Sequence, residues 1–245
     1  MRIEQLPISA RLKMNASLVP ECRTAADIGC DHAYSSIYLA ATGRAGRCIA
    51  MDVVEGPLSR ARENIRAYGM EGCIETRLSD GLEKLKPDEA EVLLISGMGG
   101  PLMLELLKKR PEVTQTARAL VLQPQSELAG VRRSLPGLGF VLKAEDMCCE
   151  EGKYYTALYA VRAQASSGQE EDAMSRMEQQ YGPCLMKERH PVLLEYLQRE
   201  LRQKEELRQA LVGQPTPRAQ EKLADLEQEI QEISCYLEGT GKVQK

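Results

Sequence analysis

Apolar and polar positions follow two different periods along the first two thirds of this chain. Short apolar runs fall at Thr24–Ile28, Arg47–Met51, Cys73–Arg77, Val92–Ser96, Ala119–Leu122, Phe140–Glu145 and Tyr154–Arg162. Their length and aliphatic content predict strands. Between them, residues near 36–42, 57–68, 101–109 and 127–135 carry the three- and four-residue apolar spacing of helices. Strand–helix alternation of this kind implies right-handed crossovers and a parallel, doubly wound sheet. The last two strands break the rule. Only Met147–Lys153 separates them, which is too short for a crossover helix, so an antiparallel hairpin is expected.

The flanks read differently. Ser9–Val19 has the pattern of a capped helix that Pro20 closes. Gln164–Gln169 is a polar linker, after which Met174, Met177, Tyr181 and Leu185 recur at helical spacing. Leu194, Leu197, Leu201, Leu207 and Leu211 follow, with Lys204 interrupting the stripe, and Gly213–Pro217 breaks the pattern. Leu223, Leu226, Ile230, Ile233 and Leu237 then form an a/d seam. Two amphipathic helices about a Pro/Gly turn predict an antiparallel coiled-coil hairpin, each arm ~30 Å long. The expected domains are therefore 1–163 and 164–245.

Composition changes this picture little. Hydrophobic residues make up 43% and charged residues 28% of 245, an ordinary globular balance. With one Phe and no Trp, the core must be built from Leu, Ile, Val, Ala and Met. The eight Cys are scattered and form no C-x-x-C pair, which argues for reduced thiols and against a disulfide framework or a metal site. No apolar run approaches the ~18–20 residues of a membrane span, and Met1–Pro7 lacks a secretory signal. A cytoplasmic protein with no membrane partner is expected, and the sequence sets no oligomeric state beyond the default of a monomer. The net charge of −4 gives no overall field for nucleic acid. A polyanion would need local patches, and Arg199, Arg202, Lys204 and Arg208, Lys108–Arg110, and Arg132–Arg133 are the candidates.

The chemistry concentrates after the strands. The segment Thr24-Ala-Ala-Asp-Ile-Gly-Cys-Asp-His-Ala-Tyr34 runs from the first strand into a turn that opens a helix. That places Asp27 and Gly29 at the carboxyl end of the first strand, where doubly wound sheets bind ligands. The dinucleotide fingerprint is absent, since Asp31 and Ala33 stand where further glycines would cradle a pyrophosphate. S-adenosylmethionine has no phosphate and carries a sulfonium cation, so acids beside this loop suit it better. A mostly parallel sheet ending in an antiparallel hairpin resembles the methyltransferase version of the Rossmann-like fold. In that frame Asp52, ending the second strand, is placed to accept ribose hydroxyls. Asp80 can accept from an adenine amine beside a rim kept shallow by Gly81. Gly97-Met98-Gly99-Gly100, ahead of Pro101, lets backbone approach the ligand closely. Gln123–Gln125 and the Glu150–Tyr155 segment lie near sheet ends, where Lys153 and Tyr154 are candidate nucleotide contacts. His190, before Pro191, reads as structural.

Asp27-Ile-Gly-Cys-Asp-His-Ala-Tyr34, Gly97-Met-Gly-Gly100, Leu122-Gln-Pro-Gln125 and Glu151-Gly-Lys-Tyr-Tyr155, in this order before a helical tail, resemble the TrmK family. These are bacterial methyltransferases acting on N1 of adenosine 22 in tRNA. The resemblance implies S-adenosylmethionine as donor and tRNA as partner. Neutral adenine N1 already has a lone pair, so positioning should dominate over base catalysis. Asp31 is then expected to face the cationic product ring and hold the N6 amine, with Tyr34 stacking on the base and His32 supporting the loop. The family usually continues Asp-His-Ala-Tyr with Leu-Pro, where this chain has Ser35-Ser36. Alternatives stand beside this reading: a methyltransferase for another RNA, a protein or a small molecule, or a catalytically silent S-adenosylmethionine-binding adaptor. A dinucleotide oxidoreductase is disfavoured by the missing fingerprint and the terminal hairpin.

Overall fold

The computed structural model describes residues 5–164, 174–212 and 217–239. The expected polar linker beyond Gln164 and the Pro/Gly break up to residue 216 lie outside the described residues.

Seven strands form one sheet: β1 (Cys22–Ile28), β2 (Ala45–Asp52), β3 (Ile74–Leu78), β4 (Val92–Met98), β5 (Ala119–Pro124), β6 (Phe140–Glu150) and β7 (Lys153–Arg162). Their order is β3-β2-β1-β4-β5-β7-β6. The first five are parallel, and β7 runs antiparallel to both β5 and β6. Because the chain winds outward from β1 in one direction and from β4 in the other, their carboxyl ends form the switch point. This is the Rossmann-like methyltransferase sheet, and α/β is its class.

Strand side chains alternate between faces, and each face buries a helix layer. On one side Ile28, Ile49, Leu93 and Leu120 pack with Met103 and Leu107 of α4 (Gly100–Lys109). On the other Ala25, Ala50, Leu94 and Val121 pack with Ile37 of α2 (Tyr34–Ala41) and Leu58, Ala61 and Ile65 of α3 (Glu55–Ala67). The interior strand β5 is buried at every position, as a strand covered on both faces must be. The helix α1 (Ala10–Leu18) starts where the sequence places it, capped by Ser9 Oγ accepting from Leu12 N at 3.3 Å. Two short helices, α5 (Pro111–Thr114) and α6 (Leu128–Ser134), complete this unit.

Several boundaries differ from expectation. The helix expected at 36–42 opens at Tyr34, on the key loop itself, and the one expected at 57–68 opens at Glu55. The strand expected to end at Glu145 continues to Glu150, so most of the presumed hairpin connection is strand. The turn is only Glu151-Gly152, both at positive φ (51° and 75°), the backbone of a tight two-residue hairpin turn whose twist matches the strands.

The chain divides into two compact units, Met1–Asp172 and Ala173–Lys245. The second holds α7 (Arg176–Tyr181), α8 (Pro183–Lys187), α9 (Pro191–Leu211) and α10 (Pro217–Glu238). A capping box between Ser175 and Glu178 starts α7. The pairing of α9 and α10 is antiparallel: Arg189 donates to the carbonyls of Tyr236 and Leu237, and Lys204 Nζ reaches Glu229 at 2.7 Å. Leu193 and Leu197 are buried, as are Leu226, Ile230 and Ile233. The α9 stripe departs from the sequence reading. Leu207 is 39% exposed, while Lys204 occupies the seam between Glu200 and Glu229. Ion pairing lets a lysine hold a position that periodicity alone reads as an interruption.

Candidate functional site: a cleft at the β1–β4 switch

The loop between β1 and α2 is unusual backbone. Gly29, Asp31 and Ala33 all adopt positive φ (74°, 49° and 60°), and the two non-glycine residues there carry a cost on the order of 1 kcal/mol each. Neighbouring groups hold it in place. The N–H groups of Gly29 and Cys30 both donate to the Met51 carbonyl (2.8 and 2.9 Å), and Asn64 Nδ2 donates to the His32 carbonyl at 2.9 Å. The Asp31 N–H donates to Asp52 Oδ2 at 3.1 Å, while Asp52 Oδ1 accepts from Val54 N at 2.9 Å. Asp52 thus ties the end of β2 to the loop and keeps lone pairs for a ligand.

The two acids of this loop sit in opposite environments. Asp27 is buried and accepts from Ser36 Oγ at 2.7 Å. Burial pushes its pKa up to about 6, against the lowering effect of the Ser36 hydrogen bonds, and the nearby Asp52 charge raises it further. The Asp31 side chain is 68% exposed, its Oδ1 standing 3.6 Å from His32 Nε2. The His32 and Tyr34 rings lie 6.0 Å apart at 59°. Ser36, where the resembling family has proline, therefore has a definite task. Proline offers no side-chain donor to a buried carboxylate.

The opposite wall comes from β4, β5 and α1. Gly97 has φ 78° and its N–H donates to Gln123 Oε1 at 3.2 Å. The same oxygen accepts from Arg11 Nη1 at 2.9 Å, and the Arg11 guanidinium lies 5.2 Å from the Tyr155 ring centroid. Asn15, fully buried, donates to Ser96 Oγ at 3.0 Å. Met98 lays its thioether across Gly29, where a Cβ would meet it at 2.4 Å. Between these walls lies a cleft of about 300 Å³, whose lining includes Arg11, Asp27, Asp31, Tyr34, Ser96 and Gln125.

Asp27, Gly29, Asp31, His32, Tyr34, Gly97 and Met98 are thus brought together around one cleft. Other sequence candidates stand apart from its lining. Gly99 and Gly100 turn towards α6, and a Cβ on Gly100 would lie 2.6 Å from the Ser126 carbonyl oxygen. Their absent side chains serve the packing of α4 beside α6. Asp80 is exposed and paired with Lys109 at 3.5 Å, and Gly81 lets the chain pass over Leu106. Lys153 is exposed at the hairpin end and Tyr154 is half-buried. Arg199 and Arg202 are exposed on α9 in the second unit.

Three residues of the expected basic patches are spent on structure. Arg132 is buried against Glu145 at 2.8 Å. Lys109 pairs with Glu83 at 2.6 Å, and Arg110 donates to the carbonyls of Leu82 and Glu83. Arg11 was missed by sequence reasoning. It occupies a polar position of a short amphipathic helix, and its partner Gln123 is 112 residues away. Among the described residues no group of three acidic, His or Cys side chains is placed to hold a metal, and no helix is long and apolar enough to cross a membrane.

Comparison with known proteins agrees with this geometry. Residues 8–158 match the family model described as a methyltransferase domain. A Streptococcus pneumoniae protein described as a putative tRNA (m1A22) methyltransferase, solved in complex with S-adenosyl-L-methionine, is 33% identical, with a TM-score of 0.78 over 94% of this chain and 99% of that one. The Bacillus subtilis tRNA (adenine(22)-N(1))-methyltransferase is 29% identical over 94% of this chain and 98% of its own, and its crystal structure superposes with a TM-score of 0.78. The Mycoplasma capricolum TrmK bound to S-adenosyl-homocysteine is 25% identical, with a TM-score of 0.75 over 94% of this chain and 98% of that one. With a family model over most of its length and relatives matched end to end, the chain belongs to the methyltransferase-domain family and, within it, to the family of tRNA (adenine(22)-N(1))-methyltransferases.

Proposed function

We propose that this protein methylates N1 of adenosine 22 in tRNA with S-adenosylmethionine as donor, and that it does so in the cytoplasm. The observation that carries the reading is the cleft at the switch point, walled by one buried and one exposed acid, Asp27 and Asp31.

The residues present suit the cofactor. It supplies an activated methyl group on a sulfonium cation. Asp27 gives the cleft the negative charge that such a cation and an α-ammonium group need. Gly29 and Gly97, both at positive φ, leave the backbone open to close approach. Asp52 retains lone pairs on both carboxylate oxygens for ribose hydroxyls, beside the exposed apolar surface of Val53, Val54 and Leu78. Asp80 and Gly81 belong to the outer rim of that surface, while Met98, Gly99 and Gly100 shape the loop after β4.

On the acceptor side, Asp31 is the group that answers charge growing on the adenine ring as N1 is alkylated. It is solvent-facing at the cleft, and a carboxylate there stabilises the transition state more than the neutral ground state. The same carboxylate can accept from the N6 amine and fix the Watson–Crick edge. Tyr34 offers its ring for stacking, and His32, 3.6 Å from Asp31, orients that carboxylate. Residues 1–163 serve as the catalytic domain and 164–245 as a helical hairpin that lengthens the tRNA contact, through Arg199 and Arg202. Lys153 and Tyr154 contact the nucleotide at the hairpin end of the sheet.

The test is transfer from labelled S-adenosylmethionine to unmodified tRNA, followed by digestion to nucleosides. N1-methyladenosine is the expected labelled product. Label in another nucleoside, or none above background, overturns the reading. The Ser36–Asp27 hydrogen bond accounts for the departure at Ser35-Ser36 without loss of a cofactor site, which counts against a silent adaptor.

A further inference from the structure

We propose that a pocket at the amino end of β5 binds a phosphate monoester of mononucleotide size. It lies between the carboxyl end of α4, α5 and the turn Pro136–Gly139, beside the last residue of β7. That is the end of the sheet opposite the switch cleft, and the site does not rest on the methyl-transfer reading. The cavity holds about 600 Å³, within the range of small-molecule sites. Leu107, Pro111, Pro136 and Leu138 supply an apolar wall, and the charged residues that line it, Lys108 and Arg162, are both cations.

Arg162 is oriented without being neutralised. Its Nε donates to the Ala117 carbonyl at 3.0 Å and its Nη2 to the Thr114 carbonyl at 2.6 Å, while the guanidinium lies 4.5 Å from the Phe140 ring centroid. Each of these partners is uncharged. Arg77, Arg110 and Arg132, also partly or fully buried, each pair with a glutamate. Burial pushes the Arg162 pKa down, and no carboxylate offsets it. Anchoring β7 to α5 accounts for Nε and Nη2, but Nη1 has no acceptor among the described residues. It stands next to Gly139, where a Cβ would come within 3.3 Å of it. At φ 79° this glycine makes the turn and leaves that edge of the guanidinium open. Lys108 has no carboxylate within ion-pairing distance among the described residues, although its neighbours Lys109 and Arg110 pair with Glu83 and Glu112. Glu105, one turn earlier on α4, lines an adjoining depression with Lys108 and not this cavity. Two uncompensated cations, one with a fixed donor edge, suit a phosphate monoester, which carries about −1.5 to −2 charge at pH 7 and three acceptor oxygens. A bare oxyanion would leave most of the volume and the apolar wall unused, so an organic group is expected with it.

The probe is adenosine 5′-monophosphate, titrated into nitrogen-15-labelled full-length protein with S-adenosylhomocysteine in excess to occupy the switch cleft. Amide resonances of Gln115, Gly137 and Gly139 should shift, while those of Gly29 and Gly97 should not move further. Adenosine should bind at least about tenfold more weakly, the least expected when charge-assisted hydrogen bonds are lost. Lys108→Glu, at an exposed helix position, should weaken the monophosphate at least about tenfold with Tm unchanged. Arg162→Lys keeps the charge but not the fork and should weaken it by a smaller factor. Absence of shifts at the pocket overturns the proposal, as does adenosine binding as tightly as its monophosphate. Full affinity in Lys108→Glu also overturns it and leaves Arg162 as a structural anchor alone. Displacement of labelled monophosphate by tRNA that bears its terminal 5′-phosphate, and not by dephosphorylated tRNA, would support the site and place an RNA end in it. Displacement by neither would support it as a site for a free nucleotide, and equal displacement by both would contradict the monoester.

Discussion

At the scale of single residues, the loop Asp27–Tyr34 divides its labour by burial. Asp27 titrates near 6 instead of the ordinary 3.8 because it is buried. A carboxylate whose folded pKa is raised binds more protons in the folded state than in the unfolded chain between these values. Its contribution to stability is therefore full below about pH 4 and is lost as pH rises through 6. The displacement corresponds to about 3 kcal/mol. Asp27→Asn should accordingly raise the Tm of ligand-free protein at pH 7.5, leave it unchanged at pH 4, and weaken S-adenosylhomocysteine binding. Thermal unfolding across that range reads the first two, and calorimetry the third; a Tm that falls at pH 7.5 contradicts this view of Asp27. Asp31, exposed beside His32, should behave oppositely. Asp31→Ala is expected to slow single-turnover methyl transfer by about 100-fold or more while S-adenosylhomocysteine affinity stays within about twofold. Equal losses in both would place Asp31 on the cofactor. Sequence reasoning could find these residues because they are adjacent in the chain. It could not separate Asp27 from Asp31 by environment, since the burial of Asp27 depends on α2 starting early enough to bring Ser36 onto it.

At the scale of elements, the start of α4 is set against the segment entering α6 by close contact. Gly100 sits where a Cβ would meet the Ser126 carbonyl at 2.6 Å and Val131 at 2.8 Å. Gly100→Ala should therefore displace the start of α4 and lower stability by about 1–3 kcal/mol, read by urea unfolding; an unchanged midpoint would mean that α6 yields freely. The buried Arg132–Glu145 pair ties α6 to β6. Removing one partner breaks a buried ion pair, so Glu145→Ala should cost about 3–5 kcal/mol, whereas replacing both by apolar residues of similar volume should recover most of it. A double variant no better than the single one contradicts that account. The strand alternation was legible because each strand is short, aliphatic and bounded by turns. The extension of β6 to Glu150 was not, because Asp146 and Cys148–Glu150 lack apolar alternation and are held by their pairing with β7. The charge of Arg132-Arg133 misled for a related reason. A buried ion pair is invisible until its partner's strand is placed beside it.

At the scale of the whole molecule, the net charge of −4 leaves tRNA binding to local groups. Lys204, paired with Glu200 and Glu229, stabilises the α9–α10 seam, whereas Arg199 and Arg202 are exposed. The double substitution of Arg199 and Arg202 to Glu should raise the KM for tRNA and flatten its salt dependence, with S-adenosylhomocysteine affinity unchanged. Unaltered tRNA kinetics at low salt would assign the second unit to another task. The family was legible from the order of four short motifs, and the fold from its periodicity. The position of the target nucleoside is set by how a tRNA is held, which no local motif encodes. The central claim is therefore tested most directly by where the methyl group lands. A methyl on N1 blocks the Watson–Crick edge, so reverse transcription across a treated tRNA transcript should stop next to adenosine 22. The stop should vanish when that nucleoside is replaced by guanosine. A stop at another position, or methyl incorporation without a stop, would contradict the account.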